Sequence, residues 1–306
     1  MQTVARGLHR TPVASPDPAA GPAELAQHRR ATALADLLAW QQALRPGACF
    51  THLSAVIVRG WALPELPADL PVWIAQEKGI NPSRRRGARV IRQSTPPDGE
   101  VIAGVRLARP AETLLACARD LSVLDLVVVI DSALHCGDVG VAELQAVVAG
   151  RRPGAARLRE ALRLADGRSE SAWESLLRVL HVVCGFEVEP QREFHHQGQF
   201  VARADLHLVG TRSLHEYDGA EHRKKARQQS DLRRDRRILA AGLVRRGYAK
   251  DDITDRPMEI LRDACTATGR AFDPHALEPW LVLWNDSSFS PYGAFLLAKR
   301  LAIPAP

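Results

Sequence analysis

The sequence predicts an α/β (α+β) fold in two domains, and three observations carry that expectation. Stretches with apolar residues at helical spacing alternate with stretches of period two. GRRPGA, residues 150–155, is a Gly/Pro break between long patterned segments. Beyond it the elements run helix, three strands, helix, strand, helix, the order of a mixed sheet flanked by helices. At 306 residues the chain is long enough for two ordinary domains.

The elements follow in order. Residues 1–23 are rich in Pro and Ala, lack the apolar core of a secretory signal, and are expected to form a flexible lead. The first domain covers 24–165. It opens with a helix over 24–44 and a second over 52–61, ended near Pro64. Strands are predicted over 71–76, 88–93 and 101–109, with turns rich in Pro and Gly. Helices return over 110–120, 122–135 and 141–150; the second is apolar almost all round, so it belongs in the core. A bridging helix follows the break.

The second domain covers 166–270. Its first helix, SESAWESLLRVLHVVCG, places Trp173, Leu176, Leu177, Leu180 and Val183 at core spacing. Ser169 or Ser171 can cap it, with Glu174 three residues after Ser171 as in a capping box. FEVEPQREF, FVARADLHLVG (200–210) and SLHEYDG read as strands. A basic helix over 224–241 ends at Gly242, the strand LVRRGY follows, and a last helix lies within 250–270. The tail, 271–306, carries Trp280, Trp284, Phe289, Tyr292 and Phe295 and is expected to pack on a domain.

Composition narrows the function classes. An apolar fraction of 46% and a charged fraction of 25% are those of a globular protein. No run of eighteen apolar residues offers a membrane span. Five scattered cysteines without a CxxC spacing point to free thiols in a reducing cytoplasm. The net charge is +6, and residues 223–237 alone hold eight Lys/Arg against two Asp. Such a block is either a solvated helix face or a nucleic-acid footprint.

The block begins beside an acidic constellation. Glu216 and Asp218 are two apart on a strand, so they share a face. Pairing of 200–210 with 213–218 brings Asp205 to a similar height. Three acids at one sheet end are costly unless a cation neutralises them, and oxygen-only ligation suits Mg²⁺ or Mn²⁺. A salt-bridged structural cluster is the equal alternative, because the next helix is full of Arg. On the residues alone Glu174 is read as a surface helix residue or a cap partner, and His222 as the end of the strand-to-helix turn. Gln191 can approach from its strand. His195 and His196 belong to a hairpin arm, Asp231 and Asp235 to intrahelical pairs with Arg, and Tyr217 to the opposite, core-facing side.

SESAWESLLRVL, ARADLHL, LHEYDGAEH and a basic helix ending ILAAG before LVRRGY, over 169–265, resemble a bacterial family related to very-short-patch-repair endonucleases, in the PD-(D/E)XK nuclease superfamily. The resemblance implies a restriction-endonuclease-like second domain. It implies Asp205 as the central metal-binding acid, Glu216 as the second, and Glu174 as a holder of the metal or its waters. Asp218 stands where many members carry lysine, a departure that leaves His222, Lys224 or Lys225 to supply positive charge. His222 would act as acid or base. The implied activity is Mg²⁺- or Mn²⁺-dependent hydrolysis of DNA, in repair or in phage or toxin–antitoxin defence. Arg223, Lys224, Lys225, Arg227, Arg233 and Arg234 would grip the DNA backbone.

FTHLSAVIVRGW, VIAGVRLARPAETLL and DLVVVIDSALHCGDVGVAELQAVV resemble, more loosely, antitoxin-like domains of AbiEi type. That implies binding or regulation by the first domain, with a toxin or other protein as partner. The alternative function is therefore a non-catalytic, nucleic-acid-binding, antitoxin-like regulator on a nuclease-like fold.

Overall fold

The computed structural model of the protein describes residues 1–67, 69–81, 85–219 and 225–301, with the backbone alone for Pro22 and for 225–231. The α/β class holds, and both larger sheets are mixed. The chain opens with a hairpin of β1 (Gln2–Ala5) and β2 (Leu8–Arg10), where composition predicts a flexible lead. Leu8 is buried among Leu37 and Trp40, and this contact orders a segment whose composition alone reads as mobile.

Next come α1 (Pro22–Gln41), β3 (Cys49–Phe50), α2 (His52–Arg59), β4 (Val72–Glu77), β5 (Ala88–Gln93), β6 (Gly99–Ile102) and β7 (Val105–Ala108). The five strands pair in the order β5-β4-β3-β7-β6. β4 and β5 run parallel, as do β3 and β7. The stretch that reads as one strand over 101–109 is instead the β6–β7 hairpin. Its turn, Ala103–Gly104, has both φ angles positive, the backbone of a tight two-residue hairpin. Alanine hides that turn from a sequence reading.

Helices α3 (Pro110–Cys117), α4 (Val123–His135), α5 (Val141–Ala149) and α6 (Ala155–Leu164) follow. Residues 150–155 form the turn into α6, whose Ala155, Leu158 and Ala161 are buried. Then come α7 (Ala172–Val183), β8 (Val188–His196), β9 (Gln199–Leu208), β10 (Ser213–Tyr217), α8 (Lys225–Ala240) and β11 (Val244–Tyr248). The second sheet has the order β11-β10-β9-β8. β8, β9 and β10 are joined antiparallel by short turns, whereas β11 is parallel to β10. A parallel neighbour cannot be reached by a hairpin, and α8 is the crossover that reaches it.

The chain ends with α9 (Lys250–Thr254), α10 (Pro257–Thr268), a single 3₁₀ turn, α11 (Glu278–Asp286) and α12 (Pro291–Leu301). The helix expected within 250–270 is α10; Pro257 opens it and separates it from the short α9, since proline opens a helix but cannot continue one. The tail packs as expected: Trp280 is fully buried. One apolar cluster runs from Leu53 and Trp73 through α3, α4, α6 and α7 to Leu206, Leu208, Trp280 and Leu301, joining both sheets. All five cysteines are free thiols. Among the described residues no helix is long and apolar enough to cross a membrane.

Candidate functional site

The site lies on one face of the second sheet, below the N-terminus of α7. Ser171 caps that helix, its Oγ accepting from the Glu174 N–H at 3.2 Å. This cap fixes where Glu174 emerges. Its Oε2 accepts from the Glu170 N–H at 2.9 Å and from Gln191 Nε2 at 3.0 Å. Glu174 thus serves the helix end through Glu170, one residue before the capping serine, and reaches the sheet at the same time.

His215 pairs with Leu206 across β9 and β10, so the next position brings Glu216 opposite Asp205. The Tyr217 N–H donates to Asp205 Oδ2 at 3.0 Å. Asp205 Oδ1 has no hydrogen-bond donor among the described residues. Tyr217 itself points away from the acids, as expected, and stacks on Trp173 with ring centroids 5.7 Å apart.

Gln191 sits on β8 opposite Asp205, between the pairs Pro190–Leu206 and Arg192–Ala204. Its φ is +54°, a left-handed backbone inside a strand. A non-glycine residue there costs on the order of 1–3 kcal/mol, which surrounding structure must sustain. The twist turns the Gln191 side chain to Glu174. Its Oε1 is buried and finds no hydrogen-bond partner among the described residues.

The acids are electrostatically coupled. Burial pushes the Asp205 carboxyl up to about 7, helped by the charges of Glu174 and Glu216 and opposed by the Tyr217 N–H and Arg234. Burial also raises Glu174, against hydrogen bonds from Glu170, Ser171 and Gln191. Glu216 is differently placed. It is only 3% exposed. Arg234 reaches both its carboxylate oxygens at 2.5 and 2.9 Å, and Arg245 Nε bonds Oε2 at 2.5 Å. Arg245 also holds Asp218 at 2.5 Å. Burial works against the Arg245 charge, but Glu216, with Asp218 and Asp235, holds its pKa above the usual value. Gly247, beside Glu216 on β11, makes room for this arrangement, since a Cβ there would collide with Asp218 Oδ2.

Asp205, Glu216 and Glu174 therefore share one site, with half-exposed Asp218 at its rim. Among the described residues no three His, Cys, Asp or Glu side chains form a group able to hold a metal ion. Glu216 is the member that fits a metal least, because both its oxygens are held by guanidinium groups. Asp205, Glu174 and the orphaned Gln191 Oε1 do fit. They are hard oxygen donors, and two of them are carboxyls raised by burial, which an added cation would neutralise. Mg²⁺ keeps several waters and needs one or two carboxylates.

His222, Arg223 and Lys224 lie outside the described residues. Lys225 and Arg227 belong to the first turn of α8, described by its backbone. Arg233 is exposed. Arg234 turns inward to Glu216 and to the Arg203 carbonyl, so its fork is spent on the protein. Asp235, expected as an intrahelical partner, stands 4.0 Å from Arg245 on β11. Sequence reasoning missed Arg245. The period of two in VRRGY was the available signal, since it puts Arg245 and Gly247 on the face of Glu216.

No protein-family model matches this chain. Two uncharacterized proteins of Mycobacterium tuberculosis, one from strain CDC 1551 / Oshkosh and one from strain ATCC 25618 / H37Rv, are each 30% identical to it over 184 residues. The match covers 58% of this chain and spans 64% of the length of each relative. No solved structure matches.

Proposed function

We propose that the protein hydrolyses phosphodiester bonds in DNA with a divalent cation, as a member of the nuclease group that its 169–265 segment resembles. The observation that carries this reading is Asp205, raised to about 7 beside a desolvated Glu174 and the unpartnered Gln191 Oε1. Perturbed carboxyls beside an unpaired oxygen are the pattern of a functional site. The expected cation is Mg²⁺ or Mn²⁺, held by Asp205, Glu174 and Gln191 with water completing the shell. When bound, it supplies Lewis-acid polarisation of a phosphate oxygen and a more acidic water.

The chain's own residues do the rest. Glu174, the carboxyl that neighbours Asp205, is the group proposed to take a proton from water. The Glu216–Arg234–Arg245–Asp218 cluster matches two carboxylates with two guanidinium groups beside the acids, in place of the free charge of the superfamily lysine. Exposed Arg233, Arg236 and Arg237 on α8 give the DNA backbone its salt-sensitive contacts. Repair of DNA, or defence against phage, is the setting the resemblance suggests.

A second reading rests on Glu216. Its capture by two arginines favours a non-catalytic nucleic-acid-binding regulator, with a toxin or other protein as partner for the first half of the chain. Calorimetric titration with Mg²⁺ and Mn²⁺, of the wild type and Asp205→Ala, decides between the two, with plasmid nicking measured in parallel. Binding and nicking lost together in Asp205→Ala support the enzyme. Absence of cation binding with DNA affinity retained overturns it in favour of the regulator.

A further inference from the structure

The first sheet carries a cavity of about 470 Å³, within the size range of small-molecule sites. It lies beyond the carboxyl ends of β4 and β5, where Lys78 and residues 93–96 leave the sheet, and it is closed on the other side by α3 and the turn before α6. The crevice outside the carboxyl ends of parallel strands is where open α/β sheets receive ligands. This cavity belongs to the opposite half of the sequence from the acidic site and shares no lining residue with it.

Its charges are arranged for an anion. Two acids line it, and each is held by an arginine. Arg152 grips Glu112 with two bonds of 2.5 Å, and Arg109 stands 3.4 Å from Asp98. Lys78, Arg92 and Arg119 also line the cavity, and none has an acidic side chain within 4.0 Å among the described residues. Ser94 and Thr95 also line it. Three cations without acidic partners and two hydroxyl-bearing residues suit a doubly charged group with several acceptor oxygens, which a phosphomonoester has and a carboxylate lacks. The rest of the lining is Gln93 and a mostly apolar wall that includes Ile91, Leu115 and Ala116. It leaves room for a body of ring size beside the phosphate.

We propose that this cavity binds a small phosphomonoester with a ring-sized body, the class that includes nucleoside monophosphates and sugar phosphates. The experiment is calorimetric titration of the full chain with AMP, ribose 5-phosphate, inorganic phosphate and adenosine. The same titrations are run on Lys78→Gln and Arg119→Gln, both exposed positions, with circular dichroism as the folding control. Saturable AMP binding, about tenfold weaker in each variant and at least about tenfold tighter than adenosine or inorganic phosphate, is the expected result. Equal affinity for ribose 5-phosphate and AMP places the base outside the cavity and still supports the phosphomonoester. Inorganic phosphate binding as tightly as AMP, binding unchanged in both variants, or no saturation with any of the four overturns the proposal. So does displacement of AMP by a short DNA duplex at equal phosphate concentration, which would make the cavity part of a polymer track.

Discussion

The Tyr217 N–H donates to Asp205 Oδ2 at 3.0 Å, so the strand that carries Glu216 also fixes the orientation of an acid that burial pushes up to about 7. That single bond does not offset the burial and the neighbouring charges that raise Asp205 from 3.8 to about 7. A carboxyl raised on folding retains its proton in the folded state over pH values where the unfolded chain has lost it. Stability therefore falls as pH rises from about 4 to 7, and the penalty is fully present above that. Converted whole, the shift corresponds to about 4 kcal/mol; water still reaches Asp205, so about 1–2 kcal/mol is expected. Asp205→Asn keeps an acceptor for Tyr217 and removes the charge. Urea unfolding should show it more stable than the wild type at pH 8, with the gap closing toward pH 4. A variant less stable than the wild type at pH 8 would remove the electrostatic account of this site.

A cation that binds the ionised acids must compete with that proton. Mg²⁺ at about 100 times its Kd would stabilise the wild type by about 2.7 kcal/mol. The thermal midpoint should rise by several degrees with Mg²⁺ at pH 7.5 and hardly at all at pH 5.5, where Asp205 holds its proton. Asp205→Asn and Glu174→Gln should lose the effect at both pH values. An equal Mg²⁺ shift in all three proteins would place the cation elsewhere.

The parts of this site visible in the sequence are those set by local periodicity. Ser171 with Glu174, the shared face of Glu216 and Asp218, and the proximity of Asp205 all follow from helix and strand spacing. Strand order brings Gln191 near the site, but its φ of +54° is not legible, because nothing local in EPQRE requires a left-handed backbone. The capture of Glu216 by Arg234 and Arg245 is hidden for a different reason: it joins residues 18 and 29 positions apart through the α8 crossover. Elsewhere the differences have the same root. The N-terminal hairpin exists through the burial of Leu8, and β3 is two residues long, too short for any period to register.

The two halves of the sequence meet at a buried ion pair. Arg178 on α7 donates to Asp131 on α4 at 2.7 Å and to the Leu164 carbonyl at 2.6 Å, while the Asp166 N–H donates to the other Asp131 oxygen at 2.7 Å. Removing one member of a buried pair leaves an unpaired charge, so Arg178→Met should cost about 3–5 kcal/mol. Arg178→Met with Asp131→Asn should recover part of this, since asparagine still accepts from Asp166. A double-mutant cycle by urea unfolding should give a coupling above about 1 kcal/mol. Because α4 and α7 share one apolar cluster, far-ultraviolet and tryptophan signals should change together in the wild type. Separate transitions would show that the halves unfold independently.

The tail is tied to the same core through Asp125. Its Oδ1 accepts from Ser287 Oγ at 2.6 Å, from the Ser288 N–H at 3.0 Å and from Ser288 Oγ at 3.2 Å. Burial raises this carboxyl despite those donors, so the bonds hold the tail in place at a cost in charge desolvation. Gly293 on α12 allows the final approach, since a Cβ there would collide with the Ser287 carbonyl. Asp125→Ala leaves buried Ser288 N–H and two hydroxyls without their acceptor, an expected loss of about 2–3 kcal/mol. Asp125→Asn, which can still accept from Ser288, should lose about half as much. Chymotrypsin reports the local consequence, because Trp280, Trp284 and Phe289 are buried in the native tail. Cleavage near these residues should accelerate in Asp125→Ala well before global unfolding, and less in Asp125→Asn. Equal cleavage rates in all three proteins would mean that apolar packing, with the Trp280 and Trp284 rings stacked 5.5 Å apart, holds the tail without help from Asp125.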